Sequence, residues 1–321
     1  MQSLFRYTLL AITLIAQSLS AGAADYPSQP IKIIVNSAPG GPTDILGRLI
    51  AVRLGASLGQ PVIVDNRAGA GGNIGVDAVA KARPDGYTLL LAVDNVFTVN
   101  PLIYTKLPFD IDKDLRPVAQ TGETQMVLVV NPRTKVRNLA EFVELTKTKN
   151  VNYSSAGNGS PGHLTFEYFA HELGLKAQHV PYKGNAPAIQ ALLAGEVDAG
   201  FLGVSGALPG IKAGKLTAIA VGSARPLASL PQVPTIKSLG FPNFEVTIGF
   251  YLMAPRGTPD AVVAQLSDGI EAAFKAPDLR AQLSAMLIDP VVKNSGAAKA
   301  QILADRAKWK KVVDSAKVTV E

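Results

Sequence analysis

Residues 31–50 read Ile-Lys-Ile-Ile-Val-Asn-Ser-Ala-Pro-Gly-Gly-Pro-Thr-Asp-Ile-Leu-Gly-Arg-Leu-Ile. The first five are a β-branched run of strand length, and from Ile45 onward apolar residues recur at three- and four-residue spacing, which predicts a helix. The nine residues between them hold two adjacent glycines and two prolines, so the chain turns there. Strand, glycine-rich turn and helix in that order open a βαβ unit. The helix over 45–58 is expected to lay one face, Ile45, Leu46, Leu49, Ile50 and Val52, against a parallel sheet covered on both sides.

The alternation continues with a strand at 62–65, a helix at 74–82 and a strand at 87–93. It restarts after Gln125 with an extended run at 126–130, a helix at 139–147, a strand at 151–155 and a helix at 164–173. An extended run at 178–181, a helix at 187–193 and strands at 197–202 and 216–221 follow. Extended segments at 125–130 and 246–254 bracket this middle unit. Helical patterns at 261–274, 279–286 and 297–313 are too short for a third sheet domain and are expected to pack back on the first unit. The predicted fold class is α/β: two lobes, each a sheet flanked by helices, joined by two hinge strands, with 25–125 and 250–321 forming lobe 1 and 126–249 forming lobe 2. A cleft between two such lobes is a natural place for a small ligand.

Composition removes several alternatives. Hydrophobic residues are 47% of the 321 and charged residues 17%, enough apolar surface to exclude a disordered chain. The net charge of +6 comes from scattered Lys and Arg, and aromatics are 6%, so a nucleic-acid partner is not expected. With no cysteine there is no disulfide, thiolate metal site or thiol nucleophile. Arg6, the apolar stretch at 7–16 and Ala21-Gly22-Ala23 read as a secretory signal peptide over 1–24. A membrane anchor needs about 20 apolar residues, and Gln17, Ser18 and Ser20 interrupt the run. The folded chain is therefore expected to be monomeric and periplasmic.

Two loops are candidates for chemistry. The first holds Asn36, Ser37, Ala38, Pro39, Gly40, Gly41, Pro42, Thr43 and Asp44; it delivers backbone N–H groups to a helix N-terminus, where an anion is favoured. Thr43 or Asp44 serves equally well as an N-cap with no ligand. The second runs from Tyr153 through Ser154, Ser155, Ala156, Gly157, Asn158, Gly159, Ser160, Pro161 and Gly162 to His163. Neither contains Lys or Arg, so any anion is held by backbone N–H, Ser and Asn donors, a design for one carboxylate and not for a polyphosphate. Gly157, Gly159 and Gly162 match G-x-G-x-x-G, but Tyr182 and Lys183 stand where an acidic residue should hold a ribose, so no dinucleotide is implied.

Enzyme readings fare poorly. His163, His171 and His179 stand eight apart, a turn of ~80° on a helix, and no H-E-x-x-H is present, so no metal is expected. Gly203-Val204-Ser205-Gly206-Ala207 has Ala207 where a nucleophile elbow needs glycine. A secreted hydrolase using Ser205 and His163 is the rival from the enzyme class, and His163 reads more simply as a cap or a donor behind its loop. No cofactor is implied.

Taken together, 38–44, 65–72, 152–160, 180–184, 193–198 and 254–259 resemble the Bug/TctC family, the periplasmic solute-binding components of tripartite tricarboxylate transporters. The likeness runs from about Tyr26 to the C-terminus. It implies a type II periplasmic-binding fold that closes on a small carboxylate and is recognised by the membrane permease subunits, or, in a rival reading, by a receptor kinase. By resemblance the carboxylate lies between Pro39 to Asp44 and Ser154 to Ser160, and the far end of the ligand meets Asp94, Asn95, Val96 and Phe97 and, opposite, Gly203, Val204 and Ser205. A Phe at 97 facing the pocket would stack on a ring, giving a slight lean to an aromatic mono- or dicarboxylate.

Overall fold

The structure, a computed structural model, describes residues 26–242 and 244–316. The predicted signal peptide, 1–24, lies outside the described residues. The strands are β1 (Ile31–Val35), β2 (Val62–Asn66), β3 (Thr88–Val93), β4 (Leu115–Val130), β5 (Val151–Ser155) and β6 (Ala177–Pro181). They continue with β7 (Ala199–Gly203), β8 (Thr217–Val221), β9 (Thr247–Pro255), β10 (Ile288–Asp289) and β11 (Lys293–Asn294). The helices are α1 (Pro42–Leu58), α2 (Asn73–Ala80), α3 (Asn95–Thr98), α4 (Asn100–Ile103), α5 (Ile111–Asp114) and α6 (Leu139–Thr148). After them come α7 (Pro161–Leu173), α8 (Asn185–Ala194), α9 (Val204–Lys212), α10 (Asp260–Phe274), α11 (Pro277–Ala285) and α12 (Ser295–Ala316).

Strands β2, β1 and β3 are parallel neighbours, as a βαβ reading demands, and in the second unit β6, β5 and β7 are parallel too. The sheet is nevertheless mixed and not parallel throughout. β9 runs antiparallel to β3 and β4, and β4 runs antiparallel to β7 and β8, because the strands that cross between units enter each sheet against its βαβ strands. β4 is one unbroken strand whose residues 115–125 pair with β9 and whose residues 126–130 pair with β7 and β8. Its first half was not legible as a strand: Pro117 cannot donate to a ladder, and the register slips beside Pro117 and again before Gly122.

Side chains alternate between the two faces of each unit, as the two-residue period of a strand requires. In the first, Ile33, Val35, Leu89 and Leu91 pack with Leu46 and Ile50 of α1, while Ile34, Leu90 and Ala92 pack with Val76, Phe97 and Tyr251. In the second, Leu128 and Val130 face Phe166 and Phe169, and Val127 and Val129 face Ile189 and Leu192. The buried face of α1 is narrower than the sequence suggested. Leu46, Ile50 and Leu54 are buried, but Ile45 and Val52 are exposed, because Gly47 and Ala51 let the helix seat closely on the sheet. A Cβ at Gly47 would sit 3.0 Å from Val35 Cγ2 and 3.2 Å from Leu91 Cδ2. α12 does not stay with one unit: Ala298 and Ile302 join the first unit's core, whereas Trp309, Val312 and Val313 join the second's.

Candidate functional site

The C-terminal ends of β1, β3, β5 and β7 release the four loops that carry the candidate residues, the position where ligands sit in open α/β sheets. In the first loop Gly40 takes φ +82°, and Gly41 is the N-cap of α1, with no side chain capping the helix. Pro42 at the first helical position has no N–H to offer, and the amides of Thr43 and Asp44 precede any i−4 carbonyl, so two donors open at this end. Neither Thr43 nor Asp44 is the N-cap. Asp44 reaches back one turn, accepting the Gly40 N–H at 2.9 Å, and the Arg48 guanidinium lies 3.0 Å away. Burial pushes its carboxyl up, but Arg48, the Gly40 amide and Asn66 outweigh burial and hold it below the ordinary carboxylate range. Asp44 thus shapes the loop, while Pro39 and Gly40 are exposed and Ser37 and Pro42 half-buried. Ser37 Oγ is inaccessible and has no partner among the described residues.

The second loop is tied down from behind. Ser155 Oγ donates to Gly157 O at 3.0 Å, accepts from Gly157 N at 3.1 Å and lies 2.7 Å from His179 Nε2. His163 Nδ1 accepts the Gly159 N–H at 3.1 Å, and Ser160, the N-cap of α7, accepts from His163 N. The two imidazoles stack 3.9 Å apart, and the column continues through Tyr153 to Phe166. Burial drives His163 down to about 4, and burial followed by repulsion from His163 drives His179 down to about 3, so both rings are neutral acceptors or donors at neutral pH. The amides of Gly157, Gly159 and Ser160 are consumed within the loop, which leaves those of Ala156 and Asn158. Ser154 turns away from the loop, its hydroxyl donating to Ala188 O in the core.

The third group divides. Phe97 is fully buried and packs edge-on against Tyr251 at 6.0 Å, so it is a core side chain and not a pocket wall. The lean to a ring ligand loses its structural basis, and the reason is topological: α3 turns Phe97 under the sheet toward β9 and α12. Val204 is likewise core. Asp94 pairs with β9, accepting the Gly249 N–H on Oδ2 at 3.0 Å, while Oδ1 has no partner among the described residues. Burial, and secondarily Asp305, raise its carboxyl to about 7 against the pull of the Gly249 amide and Lys308. Ser205 Oγ has no partner among the described residues, and no hydrogen bond links it to His163, whose Nδ1 is already taken by Gly159.

Asn95, expected at the site, leads to the glycine-rich stretch marked in the sequence and, beyond it, to Asn73 and Asn100, which were not assigned to the site. Its Nδ2 donates to Gly71 O at 3.4 Å, and Asn100 Nδ2 donates to the same carbonyl at 3.3 Å and to Asn73 Oδ1 at 2.6 Å. Gly72 closes on Asn36, so that a Cβ there would collide with Asn36 Nδ2, and Gly159 closes on Ile103 and Asn100. The glycine-rich stretch 69–72 and the second loop therefore both close on α4. The signal for them was the run of glycines before Asn73, whose positive φ values at Gly69, Gly71 and Gly72 bring backbone against these amides. Asn185 accepts the Gly203 N–H at 3.0 Å and fixes the start of α9. Among the described residues no cluster of His, Asp and Glu has the makings of a metal site, and no helix is long and apolar enough to cross a membrane.

Comparison with known proteins bears on the family and the fold. The family model described as the tripartite tricarboxylate transporter family receptor, TctC, matches residues 46–318. The protein BugT of Bordetella pertussis is 37% identical over 294 residues, covering 91% of this chain and 90% of BugT. Of solved structures, an R. palustris protein with adipate is 30% identical over 92% of this chain and 99% of its own, with a TM-score of 0.87. MatC of Rhodopseudomonas palustris, with bound malate, is 30% identical over 90% of this chain and 100% of its own, with a TM-score of 0.83. By sequence match and fold alike, the chain belongs to the TctC/Bug family of tripartite tricarboxylate transporter receptors, which are solute-binding proteins and not enzymes.

Proposed function

We propose that the protein is a periplasmic receptor that captures a small aliphatic carboxylate between its two glycine-rich loops and hands it to the permease subunits of a tripartite tricarboxylate transporter. The observation that carries this reading is the pairing of loop amides without a cation. Among the described residues, Thr43 and Asp44 on one side and Ala156 and Asn158 on the other leave N–H groups unbonded, and neither loop has a Lys or Arg. Such donors suit a singly charged carboxylate terminus. Burial of Phe97 removes the argument for a ring, and the relatives with adipate and malate support an aliphatic acid. The lobes would be 25–125 with 250–321, and 126–249, turning about β4 and β9. Closure follows only if the ligand binds the closed form more tightly than the open one.

A thermal-shift series with succinate, malate, adipate, citrate, benzoate and phthalate tests the reading. A ligand at a hundred times its dissociation constant stabilises by about 2.7 kcal/mol, an easily read rise in melting temperature. Stabilisation by an aliphatic acid is expected. Stabilisation by the ring acids alone would overturn the ligand class, and no shift with any of the acids would overturn carboxylate capture.

A further inference from the structure

The second unit carries a groove at the end of its sheet opposite the candidate site. The site lies beyond Ser155 and Gly203, the C-terminal ends of β5 and β7, whereas the groove lies where Val130 of β4 meets Ala199 and Thr217, the first residues of β7 and β8. Its cavity is about 420 Å³, within the range that buries a small ligand or a few side chains. Three segments converge on it: the turn into α6, the end of α9 with the start of β8, and 232–239. Leu139, Ile211, Ile219 and Val233 form an apolar floor, with Pro234 and the exposed Leu239 at the mouth.

Two further features bear on what fills it. β8 is an edge strand, paired with β4 on one side; on the other, among the described residues, only Val221 is bonded, giving its N–H to Pro234 O and accepting from Ile236 N. Thr217 and Ala218, which line the cavity, are half-buried and have no strand beside them on that edge among the described residues. The same three segments carry Lys135, Arg137, Lys212, Lys215 and Lys237, of which Arg137 lines the cavity; all are exposed, and none takes part in an ion pair among the described residues. No acidic residue occurs between Asp198 and Glu245. The acidic neighbour in sequence, Glu141, is engaged at the helix start by Arg137 N and Asn138 Nδ2.

A strand edge without a further strand on it, an apolar cavity beside it and unpaired cations on the segments that line the cavity lie together. We propose that this groove docks an extended acidic segment of a partner protein, added as a strand to β8, with alternate apolar side chains entering the cavity and carboxylates meeting those cations. An anionic bilayer would reach the exposed cations but has no backbone to pair with β8 and nothing shaped to enter the cavity. The inference is independent of which solute occupies the cleft at the other end of the sheet.

The test uses the folded chain and a short labelled synthetic peptide alternating glutamate with leucine and valine, followed by fluorescence anisotropy. A lysine-for-glutamate peptide, a serine-for-apolar peptide and phosphatidylglycerol vesicles are the comparisons. Saturable binding of the acidic apolar peptide is expected, at least about tenfold tighter than the serine version, which corresponds to about 1.4 kcal/mol. The double variant Arg137→Glu with Lys215→Glu should lose about tenfold with an unchanged melting temperature, and Gly41→Val should leave peptide binding intact. Equal binding of the serine peptide, unchanged affinity in the double variant, no peptide binding, or binding to vesicles alone would each overturn the proposal.

Discussion

The imidazoles of His163 and His179 lie face to face, 3.9 Å apart and 13° from parallel, although one begins α7 and the other stands in β6. Each holds a different part of the same loop: His163 takes the Gly159 amide, and His179 meets the Ser155 hydroxyl. A charged His163 can no longer accept that amide, and two charged rings at this distance repel.

Acid should therefore loosen the second loop. Both histidines have folded-state values below their unfolded ones, so the stability they contribute is complete above about 6.5 and is lost as pH falls toward 4 and then 3. Melting temperature is expected to fall between pH 7 and pH 4.5. The fall should be smaller in His179→Gln, which keeps a donor for Ser155 and cannot charge. Parallel pH curves for the two proteins would count against the stack as the acid-sensitive element.

Asp94 has the opposite sign. Its folded-state value, about 7, is above the unfolded one, so its contribution is complete below the unfolded value and is lost as pH rises through 7. Asp94→Asn removes the buried charge while keeping an acceptor for the Gly249 amide. The variant is expected to gain on wild type by ~1–3 kcal/mol at pH 8.5 relative to pH 5, read from paired chemical denaturation curves.

Two glycines should separate folding from capture. Gly41 has φ −80°, and a Cβ there meets only Ala38 O at 3.7 Å, so Gly41→Val should fold normally and melt within ~0.5 kcal/mol of wild type. It should still lose carboxylate binding, because the branched side chain stands in front of the Thr43 and Asp44 amides. Gly159 has φ +71° and a Cβ there would collide with Ile103 Cδ1, so Gly159→Val should cost ~1–3 kcal/mol before any question of ligand. Melting curves with calorimetry on the same samples distinguish the two outcomes.

Phe97→Leu is expected to lower stability by ~1–2 kcal/mol through lost packing on Tyr251 and to leave the ranking of succinate over benzoate unchanged. A reversal of that ranking would return Phe97 to the ligand.

The βαβ alternation was legible because β-branched runs and helical spacing differ in period, and the two glycine loops were legible because they fall between such elements. The parallel sheet was a wrong extension of that pattern: strand direction is not written in hydropathy, and β4 hides its first half behind Pro117. On α1, Ile45 and Val52 share the apolar period yet face solvent, since two small residues seat the helix instead. At the site, loop position was legible but side-chain direction was not. Phe97, Ser154 and Val204 sit at the expected places and turn into the core, while Asn73, Asn100 and His179 act from segments whose proximity only the tertiary fold creates.

β4 and α12 each supply buried side chains to the cores of both units. Neither unit is thus a self-sufficient length of chain, and cutting at Gln125 would divide β4 and leave residues 26–125 without β9, the strand that lies between β3 and β4. Denaturation should consequently be a single cooperative transition in spite of the two sheets. Sequence exchange between relatives is constrained in the same way: a unit transplanted from a homologue must arrive with a strand and a helix already fitted to its new neighbour.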